Sequence, residues 1–221
     1  MTGRDFIAPP CTEDIHILWQ DDQCLLVNKP AGLLSVPGRH PANRDCLISR
    51  VQEQYPSARI VHRLDMDTSG IMVLALNADS HRQLSRQFEQ RLTHKCYIAE
   101  VFGLVAKDKG SIELPIITDW PNRPLQKIDH EQGKAALTHY QVLSRNPTRN
   151  SSRVLLTPIT GRSHQLRIHL AEIGHPILGC DFYAHQQARA LSPRLLLHAE
   201  TLHFHHPVSD EVIKGYSPCP F

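Results

Sequence analysis

The chain has no run of eighteen apolar residues, so no segment is long and hydrophobic enough to be read as a membrane-spanning helix. Its first ten residues include Arg4 and Asp5, end on Pro9-Pro10 and lack an apolar centre, which is not the pattern of a secretory signal peptide. Cysteines are few and scattered: Cys11, Cys24, Cys46, Cys96, Cys180 and Cys219 form no CxxC pair. In a chain of 221 residues without a leader this reads as reduced thiols, and the cytoplasm is the expected location. No GxGxxG or GxxxxGKS/T loop is present, so no nucleotide cofactor is expected, and no GxSxG elbow points to a serine hydrolase. Excess charge of one sign is also lacking. The formal charge is +2 and the pI about 8.3, below the ~9 common in dedicated nucleic-acid-binding domains. Such a balance permits a local RNA-binding patch without requiring one, and fifteen histidines add positive potential near neutral pH.

Those histidines do not assemble into a metal motif. His164 and His169 are five apart, not the four of HExxH, and His203, His205 and His206 stand near Pro207 with no cysteine beside them. His203 and His205 would share one face of a strand, which leaves a chance site open, but no metal is expected.

What the chain does have is an ordinary globular composition, 41% hydrophobic and 21% charged, and many short strand-like runs. Residues 15–19 and 24–28 alternate around the turn signal Asp21-Asp22, and Pro30, Gly32, Pro37, Gly38 and Pro41 then mark a loop. Residues 46–55 have helical spacing, and 60–64 and 71–76 are expected strands. Asn77 is placed to cap a helix from Ala78 to about Arg91, with Leu84, Phe88 and Leu92 as its apolar stripe. Strands are expected at 96–102, 111–117, 137–143, 154–157 and 195–204. A helix capped by Ser163 should run to Ile173 and end at Gly174, burying Leu166, Leu170 and Ile173. Most connections between strands are too short for a helical crossover. The expected class is therefore α+β, a mixed, mainly antiparallel sheet with a few flanking helices. One domain is expected over residues 1–221, with its core at about 15–206.

Four segments can carry chemistry. At 61–70 a strand leads into a turn bearing Asp65 and Asp67 beside Arg63, and a carboxylate kept ionised by an arginine can act as nucleophile or base. The same residues also suit a plain Asx-turn, and spacing alone does not choose between the two acids. At 160–169 a glycine turn opens a helix rich in donors, where Arg162, His164 and Gln165 offer a seat for phosphate. Arg167 lies about 100° from Leu166 on that helix, beside the buried stripe, where it can meet an inward-facing acid or lie in solvent. At 119–127 two prolines stiffen a loop with Trp120, Arg123 and Lys127. Aromatic and Arg groups stack on unpaired bases and Lys contacts phosphate, although Trp120 folded into the core is the plainer alternative. Tyr97, in a strand, is suited to stacking on a ring or simply to packing.

Taken in order, these segments resemble the RluA family of pseudouridine synthases. LLVNKPAGL at 25–33 is similar to the family's first strand and NKPxG loop, and HRLDMDTSG at 62–70 to its HRLDxxTSG catalytic motif. KCYIAEVFG at 95–103, TGRSHQLRIHLAEIGHPILG at 160–179 and LLLHA at 195–199 match its later motifs. The resemblance implies that Asp65 is the catalytic aspartate and that Tyr97 stacks on the target uracil and can take its C5 proton. It also implies that Arg167 pairs with the aspartate and that Arg63 helps hold the site open for a flipped base. Some members carry an S4-like RNA-binding domain before the catalytic one; with the first family strand near residue 15, none is expected here. The short form with DWPNRPLQK at 119–127 is similar to the branch with two RNA substrates, a 23S rRNA hairpin loop and a tRNA anticodon stem-loop. A monomer without cofactor is implied. The alternatives are a member acting on another uridine, a non-catalytic RNA-binding protein, and a two-carboxylate glycoside hydrolase. The last is disfavoured because Asp65 and Asp67 lie two apart at one turn.

Overall fold

The computed structural model describes residues 6–221; the start of the chain, with Arg4 and Asp5, lies outside the described residues. The elements, in chain order, are β1 (His16–Gln20), β2 (Cys24–Lys29), α1 (Leu47–Gln52), β3 (Arg59–Ile60), β4 (Ser69–Ala75), α2 (Ala78–Glu89) and β5 (His94–Phe102). They continue with β6 (Lys109–Glu113), β7 (Ile116–Thr118), β8 (Gln126–Ile128), β9 (Leu137–Asn146), β10 (Ser151–Pro158), α3 (Gln165–Glu172), α4 (Gln186–Ala190), β11 (Leu197–His205) and β12 (Val212–Tyr216). The expected α+β class is what forms. Every strand pairing with an assigned register is antiparallel. Among the described residues no helix is long and apolar enough to cross a membrane.

The chain divides into two compact units, one of residues up to Lys95 with Ala199–Pro220, the other of Cys96–His198 with Phe221. In the first, β1, β2 and β4 run side by side, with β3 also paired to β4 and β12 to β11. Strand β4 is buried at every position and β2 at all but one, the continuous burial of strands covered on both faces. Helix α2 begins as expected at Asn77, whose side chain accepts the Ser80 main-chain N–H at 2.8 Å. Leu84 is buried, but the stripe stops short: the helix ends at Glu89, and Leu92 is exposed.

In the second unit β5, β10, β9 and β6 form the sheet, and β7 and β8 make a separate two-stranded ribbon. Ala99, Val101, Val154 and Leu156 pack with Leu166 and Leu170 of α3 in one buried cluster. Two expectations are corrected here and in the first unit. The single strand expected at 111–117 is two, β6 and β7, because Pro115 between them has no N–H for a ladder. The strand expected at 60–64 pairs only at Arg59–Ile60. The segment after β11 holds one more strand, β12.

Candidate active site

The motif turn 61–70 lies in the first unit. Asp65 is half-buried and Arg63 exposed, and the Thr68 N–H closes the turn on the Asp65 carbonyl at 3.1 Å. Main-chain groups on either side of Asp65 are held by the loop 30–35. The Ser35 hydroxyl donates to the Leu64 carbonyl at 2.7 Å and accepts the Leu64 N–H at 3.2 Å. The Gly32 N–H donates to the Met66 carbonyl at 2.9 Å. Lys29 is fully buried, and its ammonium donates to the carbonyls of Pro30, Leu33 and Met66 at 2.7, 2.8 and 2.9 Å. A buried ammonium is tolerable only with such partners, so this lysine is a brace between the NKPAG loop and the Asp65 turn. Gly70 ends the motif at φ +121°; a Cβ there would stand 2.2 Å from the Ala199 carbonyl oxygen, so no other residue fits.

His62 adds another brace. Its ring stacks on Phe88, centroids 4.3 Å apart, and its Nε2 accepts the Val73 N–H of β4 at 3.1 Å. Burial, helped by nearby Lys95, pushes its pKa down to about 3, so the ring is neutral and keeps that acceptor. Lys29 and His62 were not singled out from the sequence, although both stand inside the quoted motifs; burial, which spacing does not reveal, is what identifies them.

The second unit holds the other expected residues. Tyr97 sits in β5 opposite Leu156 of β10, half-buried against the core cluster. Arg167 is 2% exposed, the inward of the two positions that its place beside the buried stripe left open. Its Nη2 donates to Asp181 Oδ1 at 2.5 Å and its Nε to Cys180 Sγ at 3.4 Å. Its guanidinium faces the rings of Phe182 and Tyr183, 4.9 and 5.6 Å from their centroids. Asp181 as a partner was not foreseen, since it lies on a loop fourteen residues downstream.

Helix α3 starts differently from the expectation. The cap is His164, in the left-handed region at φ 55°, not Ser163. Gln165, expected among the RNA contacts, is 4% exposed, and its amide is used internally. The oxygen accepts from the Thr160 hydroxyl and the Arg162 N–H, and the nitrogen donates to the Leu137 carbonyl and the Thr138 hydroxyl. It therefore holds the turn on which Arg162 and His164 are displayed. Arg162 donates from Nε to the Ala135 carbonyl at 3.2 Å. His169 is buried between Thr138 and the Leu114 carbonyl, and burial lowers its pKa against the opposing effect of the Leu114 bond. Trp120 is not in the core: it is 64% exposed on the β7–β8 loop, with the Arg123 guanidinium 4.4 Å from its ring centroid. Lys127 is exposed and 3.6 Å from Asp129.

Asp21, Cys24 and His206 are the one group of metal-ligand types brought within 4.8 Å among the described residues. Their geometry is that of a closed turn. Asp21 accepts the N–H groups of Gln23 and Cys24 and bonds His206 at 2.7 Å, while burial and Asp21 push the Cys24 thiol up to about 12. A thiol that holds its proton so tightly is a poor ligand.

A family model described as RNA pseudouridylate synthase matches residues 23–172. The chain belongs to the RNA pseudouridylate synthase family. It is 56% identical over 191 residues to the dual-specificity RNA pseudouridine synthase RluA of Yersinia pestis, covering 86% of this chain and 92% of that one. It is 49% identical over 219 residues to the protein of the same name from Escherichia coli K12, covering 99% and 100%. Among solved structures, human RNA pseudouridylate synthase domain containing 1 superposes with a TM-score of 0.81 at 29% identity, over 96% of this chain and 86% of that one. The family match spans both the braced Asp65 turn and the helix bearing Arg167.

Proposed function

We propose that the chain is a dual-specificity RNA pseudouridine synthase of the cytoplasm. As a monomer it isomerises loop uridines in a 23S rRNA hairpin and in a tRNA anticodon stem-loop. The observation that carries this reading is the HRLDMDTSG turn, with Asp65 half-buried and the main chain on both sides of it clamped by Lys29, Gly32 and Ser35. Such preorganisation of one carboxylate, in a chain of this family, suits a reaction in which that carboxylate must meet a single atom of a flipped nucleotide.

In the reaction the N1–C1′ bond breaks, the uracil turns, C5 joins C1′, the C5 proton leaves and N1 gains one. Atoms and electrons balance without an oxidant or reductant, so the chemistry calls for no metal or cofactor. The base must leave its stack, at a cost of a few kcal/mol that is least in a loop. Asp65 acts as the anionic catalyst and Arg167 as the cation that keeps it ionised and aligned. Tyr97 stacks on the uracil and takes the C5 proton, and Arg63 keeps the vacated position in the RNA open. Trp120 and Arg123 stack on unpaired bases, and Lys127, Arg162 and His164 meet the backbone, with Gln165 shaping that turn from beneath.

The test is tritium release from RNA labelled at uridine C5, using 23S rRNA fragments and tRNA, with Asp65→Asn run beside the wild type. Release by the wild type from both RNAs, reduced at least about 10²-fold in the variant, is expected. Release from neither RNA, or a variant retaining more than about a tenth of the rate, overturns the assignment.

A further inference from the structure

The β7–β8 ribbon packs on helix α3 through Ile116, Ile128 and Ile168, and both also touch one side chain that the proposed chemistry does not use. Tyr183 is half-buried, and its hydroxyl accepts the main-chain N–H of Gln126, the first residue of β8, at 2.9 Å. The same oxygen lies 2.7 Å from His164 Nδ1. With one lone pair taken by Gln126, the hydroxyl still has its own hydrogen to share with the ring nitrogen, so both bonds hold at once. The phenol ring lies beneath the Arg167 guanidinium and edge-on to His164. One residue therefore touches the ribbon, the first turn of α3 and the buried arginine.

The ribbon itself is short. It has three residues in each strand and a loop closed by Asp119 and Asn122, on which Trp120 stands exposed beneath Arg123. A two-stranded ribbon is marginal without outside support. Its tie to Tyr183 enters at Gln126, the residue paired with Thr118 at the loop end of the ribbon. On the other side, His164 is held at φ 55°, an unfavourable conformation for a residue with a Cβ, and its bond to Tyr183 and its stacking on Phe182 keep it there.

We propose that Tyr183 is a positioning residue that fixes the base-stacking loop of Trp120 and Arg123 relative to the Arg167 side chain, its hydroxyl holding the loop and its ring facing the guanidinium. This rests on the RNA-modifying role proposed above. In that role the loop's aromatic surface orders the RNA, and the distance from loop to arginine decides where the flipped uridine arrives. Losing the hydroxyl leaves the ring and its contact with Arg167 in place and frees the loop. The effect then falls on recognition and spares the chemical step.

The experiment is steady-state kinetics of Tyr183→Phe on a stem-loop substrate, alone and combined with Trp120→Ala. Tyr183→Phe is expected to raise KM about tenfold with kcat within about twofold of wild type. With Trp120 already removed, the same change should raise KM by less than about twofold, because the loop then has no aromatic surface left to position. A KM unchanged in Tyr183→Phe overturns the proposal, as does a fall in kcat without a rise in KM, or a full additive effect in the double variant. The loop is also read without RNA. In a Trp19→Phe background Trp120 is the remaining tryptophan, and its emission anisotropy should fall when the hydroxyl is removed. Should the wild type turn over no RNA, the functional reading fails, while this anisotropy still decides the positioning role: a fall supports it and an unchanged value overturns it.

Discussion

The ammonium of Lys29 and the carbonyl oxygen of Met66, 37 residues apart in sequence, stand 2.9 Å apart beneath the turn that carries Asp65. Two other carbonyls share that ammonium, and the lysine has no exposed surface. Lys29→Met keeps the length of the chain and strips these carbonyls of a charged donor. The expected loss is about 3 kcal/mol. For a chain of this size that is roughly 6–12 °C in melting temperature. Turnover should fall with it even at temperatures where the variant is folded, because the Asp65 turn is no longer clamped. A variant with wild-type melting temperature and rate would show that the brace is dispensable.

Arg167 and Asp181 are unequal partners. The arginine side chain is 2% exposed and the aspartate side chain 38%. Removing the aspartate takes a charged hydrogen-bond partner from a buried cation, whereas removing the arginine leaves an acid that water can reach. Asp181→Ala should therefore cost about 3 kcal/mol, and Arg167→Met, which fills much of the same volume, about 1 kcal/mol. Both should lose turnover, the methionine variant because the proposed cation is gone. Urea denaturation of the two variants measures the difference. The reverse order of stabilities would mean that packing around Arg167 outweighs its charge.

Much of the fold is legible in the sequence because its signals are local. The Asn77 cap, the apolar runs of β2 and β4, and the turn at Asp21-Asp22 each depend on neighbours within a few positions. The signals mislead where a side chain takes the place of the main chain. Residues 61–64 read as a continuing strand, yet the Val73 N–H is claimed by the His62 ring and Leu64 is bonded to the Ser35 hydroxyl. Ser163 looked like the cap of α3. The Thr160–Arg162 turn is instead held by the Gln165 side chain, and the helix starts from a left-handed His164. The expected site residues were recognisable as motifs. Their supports were not, because Lys29, Asp181 and Tyr183 act through loops whose course no periodicity encodes.

Two histidines, His62 and His169, make stability depend on acid. The pKa of His62 is pushed down to about 3 and that of His169 is also lowered, both chiefly by burial. A histidine with a lowered folded pKa is neutral in the native state and takes up a proton on unfolding. Its contribution is fully present above about pH 6.5 and is lost as pH falls from there toward the folded value. For His62 the slope approaches 1.4 kcal/mol per pH unit below about pH 6, with His169 adding to it over a narrower window. Denaturation at pH 7 and pH 5 should show a loss of about 2 kcal/mol, and His62→Gln should flatten most of it. An equal loss in the variant would assign the acid sensitivity elsewhere.

Trp120 and Lys127, on the same ribbon, should be distinguishable by salt. Stacking of a base on an indole releases no counterions, while a lysine on a phosphate does. Trp120→Ala is expected to weaken RNA binding by about 1–3 kcal/mol at every ionic strength, leaving the slope of log K against log salt unchanged. Lys127 is exposed and only loosely paired with Asp129 at 3.6 Å, so little holds it away from RNA. Lys127→Ala should lower that slope by about 0.7, the share of one phosphate on a single strand, with a smaller loss of affinity at high salt. Fluorescence titrations of an anticodon stem-loop across a salt series separate the two. Parallel lines for Lys127→Ala and wild type would remove the lysine from the interface, and a changed slope for Trp120→Ala would mean that its loss also displaces Arg123, which stacks on it.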